Sequence, residues 1–107
     1  MNIALVGLGK MGYNLALNML DKGYKINAFD ISDENVKKAQ TAGVNGVKSI
    51  KELINMTPKK RIIFLLLPAG DAVDDTIEEL LNYIDKGDII IDSGNSHYKD
   101  SIRRYEY

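Results

Sequence analysis

Short apolar runs alternate along the chain with segments of helical periodicity. The runs predict strands at 2–6, 24–29, 44–48, 61–67 and 88–91, the third of them short. The first run lacks in/out alternation, which is typical of a strand in a parallel sheet covered on both faces. Between the runs, apolar residues spaced three and four apart predict amphipathic helices.

Capping and turn residues mark the expected helix ends. Ser32 and Asp71 predict N-caps, and Ser49 with Glu52 predicts a capping box. The helices are expected to end at Gly23, Gly43, Thr57 and Gly87. The apolar stripe of the fourth helix lies at Val73, Ile77, Leu80, Leu81 and Ile84. The tail from Ser96 to Tyr107 predicts the start of another helix.

This alternation predicts an α/β fold, a doubly wound Rossmann-type parallel sheet. With right-handed crossovers the expected strand order is 3-2-1-4-5, and the direction of winding reverses between the first and fourth strands. Repeats, low-complexity tracts and internal linkers are absent from the sequence. The prediction is one domain over residues 1–107.

Composition and charge argue against several classes of binding partner. The 107 residues carry a formal net charge of −1, with 14 basic and 15 acidic residues interleaved, which argues against nucleic acid as a partner. With no cysteine there is neither a disulfide framework nor a thiolate metal site. The longest apolar run, 62–67, is far shorter than the roughly 20 residues of a membrane span. A soluble, cytoplasmic protein with no metal is expected.

Three glycines follow the first predicted strand, in the order Gly7-Leu8-Gly9-Lys10-Met11-Gly12. G-x-G-x-x-G is weak evidence alone, but a strand before it and a helix after it fit a dinucleotide-binding loop. In that setting Gly7 permits the tight turn, and Gly9 lets backbone N–H groups approach a pyrophosphate. Gly12 lets the helix pack closely on the strand, and the helix N-terminus suits a phosphate.

Asp30 ends the second predicted strand, where a carboxylate can accept hydrogen bonds from the adenosine ribose. The same carboxylate would repel a 2′-phosphate, and neither Ile31 nor Ser32 offers a guanidinium to bind one. Lys37 and Lys38 are expected to face solvent. The prediction is NAD rather than NADP. The alternative is a glycine-rich turn with Asp30 as a strand-end cap.

Two further loops are expected at the same sheet edge. Leu67-Pro68-Ala69-Gly70 follows the fourth strand, where a nicotinamide ring would lie, and the polar loop 92–96 follows the fifth. His97 and the pair Arg103-Arg104, on a predicted helix face, are expected to be solvated. No catalytic set or metal-ligand cluster can be assembled from these residues.

Three motifs together resemble the decarboxylating 6-phosphogluconate dehydrogenases, over essentially the whole chain. They are Gly7-Leu8-Gly9-Lys10-Met11-Gly12-Tyr13-Asn14, Pro68-Ala69-Gly70, and the run from Ile90 to Arg104 that contains Asp92-Ser93-Gly94-Asn95-Ser96-His97-Tyr98. The first motif is shared with the wider β-hydroxyacid dehydrogenase superfamily, and the last is the specific one. The resemblance implies oxidative decarboxylation of 6-phosphogluconate to ribulose 5-phosphate and CO₂ with NAD(P), in the pentose phosphate pathway.

The resemblance also implies roles for particular residues. Gly7 to Gly12 would hold the cofactor phosphates, with Met11 against the nicotinamide; Leu67, Pro68 and Ala69 would border the nicotinamide, and Asn95 would touch cofactor and substrate. Many members of the family have an Asn-Arg-Thr-like stretch for NADP where this chain has Asp30-Ile31-Ser32. That departure agrees with NAD. Ser93 replaces a frequent glycine, a mild change.

The family's catalytic lysine and glutamate, its Ser-Gly-Gly substrate loop and its helical dimerisation domain have no counterpart among these 107 residues. We therefore expect the N-terminal cofactor domain of a longer enzyme, with no catalytic residue of its own and no turnover alone. A homodimer or higher oligomer is expected only with that second domain. The alternatives are another β-hydroxyacid dehydrogenase, such as a 3-hydroxyisobutyrate type, and a non-catalytic NAD-sensing module.

Overall fold

The described residues form one six-stranded sheet flanked by four helices. The computed structural model describes residues 2–67, 71–92 and 103–106. The strands are β1 (Asn2–Val6), β2 (Ile26–Phe29), β3 (Asn45–Gly46), β4 (Arg61–Leu65), β5 (Ile89–Asp92) and β6 (Arg103–Glu106). The helices are α1 (Lys10–Asp21), α2 (Asp33–Ala42), α3 (Ile50–Met56) and α4 (Asp71–Leu80).

The sheet has the order β3-β2-β1-β4-β5-β6, and its first five strands are parallel. The predicted doubly wound fold and its strand order 3-2-1-4-5 are thus confirmed. β1 lies at the centre, where Ile3 pairs with Ile26 on one side and with Ile62 on the other. The winding reverses between β1 and β4, so a crevice opens beyond the carboxyl ends of these two strands.

The tail departs from its prediction. Arg103–Glu106 forms β6, antiparallel to β5, so the expectation of a helix over 96–107 is wrong for these four residues. The pair Arg103-Arg104 therefore lies on a strand and not on a helix face. Without β6, one edge of β5 would present unpaired backbone N–H and C=O groups, and pairing with β6 satisfies them.

Each sheet face carries its own core, because alternate residues of a strand point to opposite faces. The α1/α2 core consists of Ile3, Leu5, Leu8, Ala16, Ile26, Ala28, Val36, Ala39 and Val44. The α3/α4 core consists of Ala4, Val6, Val47, Ile50, Leu53, Ile54, Ile63, Leu65, Val73, Leu80 and Ile90. A helix pair thus packs on each face of the central strands, and the loops at the carboxyl ends begin from these buried strands.

Most predicted caps are confirmed. Ser32 accepts a hydrogen bond from Asn35 N at 3.3 Å, and Ser49 accepts one from Glu52 N at 3.1 Å. The Glu52 carboxylate completes the box on Lys48 N, one residue before the N-cap. Gly43 ends α2 with φ of 112°.

The fourth helix is shorter than its stripe predicts. α4 begins at Asp71 itself and ends at Leu80, and Leu81 is 46% exposed. The placement of Leu81 on the apolar stripe is therefore wrong. The predicted helix end at Gly87 is also wrong, because α4 already ends at Leu80, although Ile84 still packs against the α3/α4 core.

A buried ion pair joins β4 to the turn before β5, at the sheet edge opposite the glycine loop. Arg61 Nη1 lies 2.8 Å from Asp88 Oδ2 and 3.1 Å from Asp85 Oδ2. Asp88, which is fully buried, also accepts hydrogen bonds from the backbone N–H groups of Arg61 and Asp85. Arg61 Nε donates to the Thr57 carbonyl at 2.6 Å, which ties in the end of α3.

Because of this ion pair, the free energy of unfolding depends on pH. Burial alone would raise the pKa of Asp88, but the hydrogen bonds from Asp85 and Arg61 and the Arg61 charge together hold that pKa below its ordinary value. Since a lowered pKa favours the charged form in the folded state, Asp88 contributes its full stabilisation above the ordinary value of about 3.9. We expect that contribution to disappear as the pH falls through the lower folded pKa.

Urea unfolding at pH values from about 7 down to about 2 measures this dependence. Wild type is expected to lose stability below about pH 4, and Asp88→Asn is expected to show a flatter curve over the same interval. Identical acid dependence in the two proteins would show that Asp88 carries none of it.

Candidate cofactor site

The carboxyl ends of β1, β2, β4 and β5 lie along one edge of the sheet, because these strands are parallel. The glycine loop 7–9 leaves β1 there and enters α1. Its Leu8 side chain is buried in the α1/α2 core, which anchors the middle of the loop. The backbone after β4 runs alongside, where Leu66 N donates to Val6 O at 2.8 Å.

Each of the three glycines meets a different surrounding. Gly7 has φ of 104°, and a Cβ there would lie 2.5 Å from Leu66 O. A Cβ on Gly12 would overlap the carbonyl oxygen of Gly7. A Cβ on Gly9, in contrast, would meet no atom of the described residues within 4 Å. Packing within the protein therefore requires glycine at 7 and 12, whereas the opening beside Gly9 fits a group that approaches the main chain from outside.

The Asp30 carboxylate lies directly beside this loop. Its Oδ2 accepts a hydrogen bond from Leu8 N at 2.6 Å, and its Oδ1 accepts one from Ser32 N at 2.8 Å. Asn35 Nδ2 lies 3.4 Å from Oδ2. Asp30 is half-buried and thus still reaches solvent at the mouth of the groove described next.

A groove of about 700 Å³ opens beyond β2 and β3. Ile31 lies on its rim with 92% of its surface exposed, an unusual state for a large aliphatic side chain. The charged residues that line the groove are Asp30, Asp33, Lys37, Lys48 and Glu52. Three carboxylates against two ammonium groups leave the groove with more acidic than basic side chains.

The two lysines of α2 differ in their surroundings. Both are exposed, as predicted. Lys37 also borders the groove, while Lys38 Nζ lies 4.4 Å from the centroid of the Tyr13 ring on α1. The prediction that both lysines face solvent therefore misses that Lys37 also places a positive charge at the groove.

The other predicted site residues are described only in part. Lys10 and Met11 are exposed at the start of α1, and Ser32 caps α2 beside Asp30. Leu67 is half-buried, with its Cδ2 3.3 Å from where a Gly7 Cβ would lie. Pro68, Ala69 and Asn95 lie outside the described residues, as do Ser93 and His97. The structure thus brings Gly7 to Gly12, Asp30, Ile31, Ser32 and Leu67 to one edge.

The described residues contain neither a membrane-spanning helix nor a metal-ligand cluster. None of its helices has the length and apolar character needed to span a bilayer. Across residues 2–67, 71–92 and 103–106, no group of three or more His, Cys, Asp or Glu side chains is arranged to hold a metal ion.

A central-strand glycine loop, a helix N-terminus and a carboxylate at the end of β2 define a dinucleotide-binding domain of the doubly wound class. Within this class, the chain belongs to the family described as the NAD binding domain of 6-phosphogluconate dehydrogenase, whose sequence model matches residues 2–107. The resemblance seen in the sequence is confirmed, and the chain is an NAD(P)-binding domain.

Curated relatives agree. The chain is 47% identical over 108 residues to the decarboxylating 6-phosphogluconate dehydrogenase of Rattus norvegicus, covering 96% of this chain and 22% of the relative. It is 40% identical over 106 residues to the NAD(+)-dependent decarboxylating enzyme of Haloferax volcanii, covering 99% of this chain and 36% of the relative. The chain therefore spans about a fifth to a third of the length of these relatives.

Solved structures show the same fold. The 6-phosphogluconate dehydrogenase of Plasmodium falciparum, described with NADP+ and with 6-phosphogluconate, matches with a TM-score of 0.75 and 42% identity. The match covers 87% of this chain and 21% of that one. The 3-hydroxyisobutyrate dehydrogenase of Mycobacterium tuberculosis matches with a TM-score of 0.79 and 26% identity, over 87% and 31% of the two chains.

Proposed function

We propose that this chain is the cofactor-binding part of a decarboxylating 6-phosphogluconate dehydrogenase, which oxidises 6-phosphogluconate to ribulose 5-phosphate and CO₂. The 47% identity to a relative of that activity is the observation that carries this proposal. It favours the sugar-acid enzyme over the 3-hydroxyisobutyrate type, whose structural relative is only 26% identical. In this role a nicotinamide cofactor would supply the hydride acceptor, and the chain's own residues would bind and orient it.

The second half of the proposal is that catalysis needs further polypeptide. The chain spans 22% of the rat relative, and the described residues contain no candidate acid–base pair. Half-buried isoleucines on one face of the sheet also support the need for further polypeptide. Ile62, Ile89 and Ile91 lie on the side of the α1/α2 core but are only half-buried, whereas parallel sheets are generally covered on both faces. A packed helical domain would cover them.

For the cofactor, the first turn of α1 would bind the diphosphate through backbone N–H groups, and Gly9 would let it approach. Asp30 would accept hydrogen bonds from the adenosine ribose, with Ile31 and Ser32 at the rim. Leu67, Pro68, Ala69 and Met11 would lie on the nicotinamide side, and Asn95 would touch cofactor and substrate.

We further propose NAD as the preferred cofactor. A 2′-phosphate would stand beside Asp30 in a groove that holds three carboxylates and two lysines. Because juxtaposed like charges at an interface cost several kcal/mol, NADH is expected to bind at least about tenfold more tightly than NADPH. Fluorescence titration of the folded chain with each reduced cofactor measures the ratio.

Asp30→Ala is the matched variant for this titration. It removes both the ribose acceptor and the repulsion, so the ratio of the two affinities is expected to shrink toward one. Tighter binding of NADPH by the wild-type chain would contradict the preference for NAD, with Lys37 the cation to examine next.

A further inference from the structure

We propose that Asp30 is also the positioning residue of the glycine loop, so that one carboxylate couples ribose recognition to diphosphate binding. This inference rests on the cofactor site proposed above and adds a second role to one of its residues. If Asp30 has this second role, a ligand that never touches its carboxylate should still bind less tightly to an Asp30 variant than to the wild-type chain.

The hydrogen bonds at the start of the loop lead to this inference. Gly7 N donates to Phe29 O at 2.9 Å, and Leu8 N donates to Asp30 Oδ2 at 2.6 Å. Both donors point back to the end of β2 and are already satisfied within the protein. A diphosphate must therefore be held further along, at the first turn of α1, whose position depends on the path of the loop before it.

The carboxylate is itself fixed in orientation. Ser32 N holds Oδ1 at 2.8 Å, while Asn35 Nδ2 lies 3.4 Å from the oxygen that holds Leu8. Ser32 and Asn35 both belong to the cap of α2, since Ser32 Oγ accepts from Asn35 N. The start of α2 thus orients Asp30, and Asp30 in turn orients the loop that leads into α1.

Acceptor capacity limits how a ribose can join this network. A carboxylate offers about four acceptor positions, and three donors already face this one. Two ribose hydroxyls would fit if the long Asn35 contact gave way, while the short bond to Leu8 N remained. Asp30 can then serve ribose and loop together.

An NADH analogue that lacks both hydroxyls on the adenosine ribose separates the two roles. If Asp30 only recognises the ribose, Asp30→Asn leaves the affinity for this analogue unchanged. If Asp30 positions the loop, Asp30→Asn weakens the analogue by about three- to tenfold, the effect expected from one lost hydrogen bond. Glu34→Gln is the matched control, because it removes an exposed carboxylate from the first turn of α2, and Glu34 does not line the groove. Its effect should stay within about twofold.

Amide hydrogen exchange without any cofactor gives a second measurement. Asp30→Asn is expected to speed exchange of the Leu8 amide by about tenfold, while the Gly7 amide, held by Phe29 O, serves as an internal reference. Asp30→Ala repeats both measurements, because an asparagine oxygen turned toward Leu8 N would keep this hydrogen bond, whereas alanine has no acceptor. Unchanged Leu8 exchange, or unchanged analogue affinity, in Asp30→Ala would overturn the positioning role. Failure of the wild-type chain to bind NADH would instead refute the proposed function, and Leu8 exchange would still decide the role of Asp30 in the loop.

Discussion

Asp88→Asn is expected to lower the free energy of unfolding by about 3–5 kcal/mol, the usual cost of breaking a buried ion pair from one side. Asp88 is fully buried and accepts hydrogen bonds from Arg61 N, Arg61 Nη1 and Asp85 N. Whichever way the new amide turns, its NH₂ group faces a donor. The Arg61 guanidinium also loses its nearest countercharge while its side chain stays 8% exposed.

Asp85→Asn is the control, because Asp85 contacts the same Nη1 atom but its side chain is 42% exposed. Its expected cost is below about 1 kcal/mol. Equilibrium urea unfolding near neutral pH compares the two variants. A loss for Asp88→Asn no larger than that for Asp85→Asn would contradict the assignment.

A domain of this size is stable by only about 5–15 kcal/mol, so Asp88→Asn alone could unfold it. Arg61→Met combined with Asp88→Asn then gives a second measurement. Removing both charges is expected to recover part of the lost stability, since the unpaired buried cation is gone. If the double variant lost more unfolding free energy than the two single variants lose in sum, the pair would act through something other than its charges.

The contact between Arg61 and Asp88 could not be predicted from the local sequence pattern. The sequence predicts Arg61 at the start of a strand and Asp88 at the start of another, both as polar strand ends. Their contact spans 27 positions of the chain and arises only because β4 and β5 are neighbours in register. A local hydrophobic pattern carries no information on such a partner, although the strand order, once predicted, places the two residues at the same sheet edge.

At the cofactor site, too, some features follow from the sequence motif and others depend on contacts between distant segments. The roles of Gly7 and Gly12 follow from the motif and its strand–turn–helix setting, and the structure explains both through close backbone contacts. The bond from Leu8 N to Asp30 could not be predicted, because it depends on how far the β2 end lies from the loop. Strand β6 was missed for a related reason, since an edge strand is selected by the neighbour it pairs with.

Gly12→Ala is the second substitution with a large expected effect. In most helix interiors, alanine for glycine stabilises by about 1 kcal/mol. Here the new Cβ would overlap Gly7 O and lie 2.9 Å from Gly7 C, which are backbone atoms and cannot rotate away. We expect the sign to reverse, with a loss of about 1–3 kcal/mol from overpacking. NADH affinity should fall by more than about tenfold, because α1 must shift away from the loop.

Gly9→Ala separates folding from cofactor binding. Among residues 2–67, 71–92 and 103–106 its Cβ would meet no atom within 4 Å, so the free energy of unfolding should change by no more than the roughly 1 kcal/mol of an altered N-cap. Its NADH affinity should nevertheless fall about as far as that of Gly12→Ala, because the methyl group would occupy the space beside the diphosphate. Thermal unfolding and NADH titration of both variants provide the comparison. If Gly9→Ala kept wild-type affinity, no ligand would approach the main chain there, and only packing would explain the glycines of the loop.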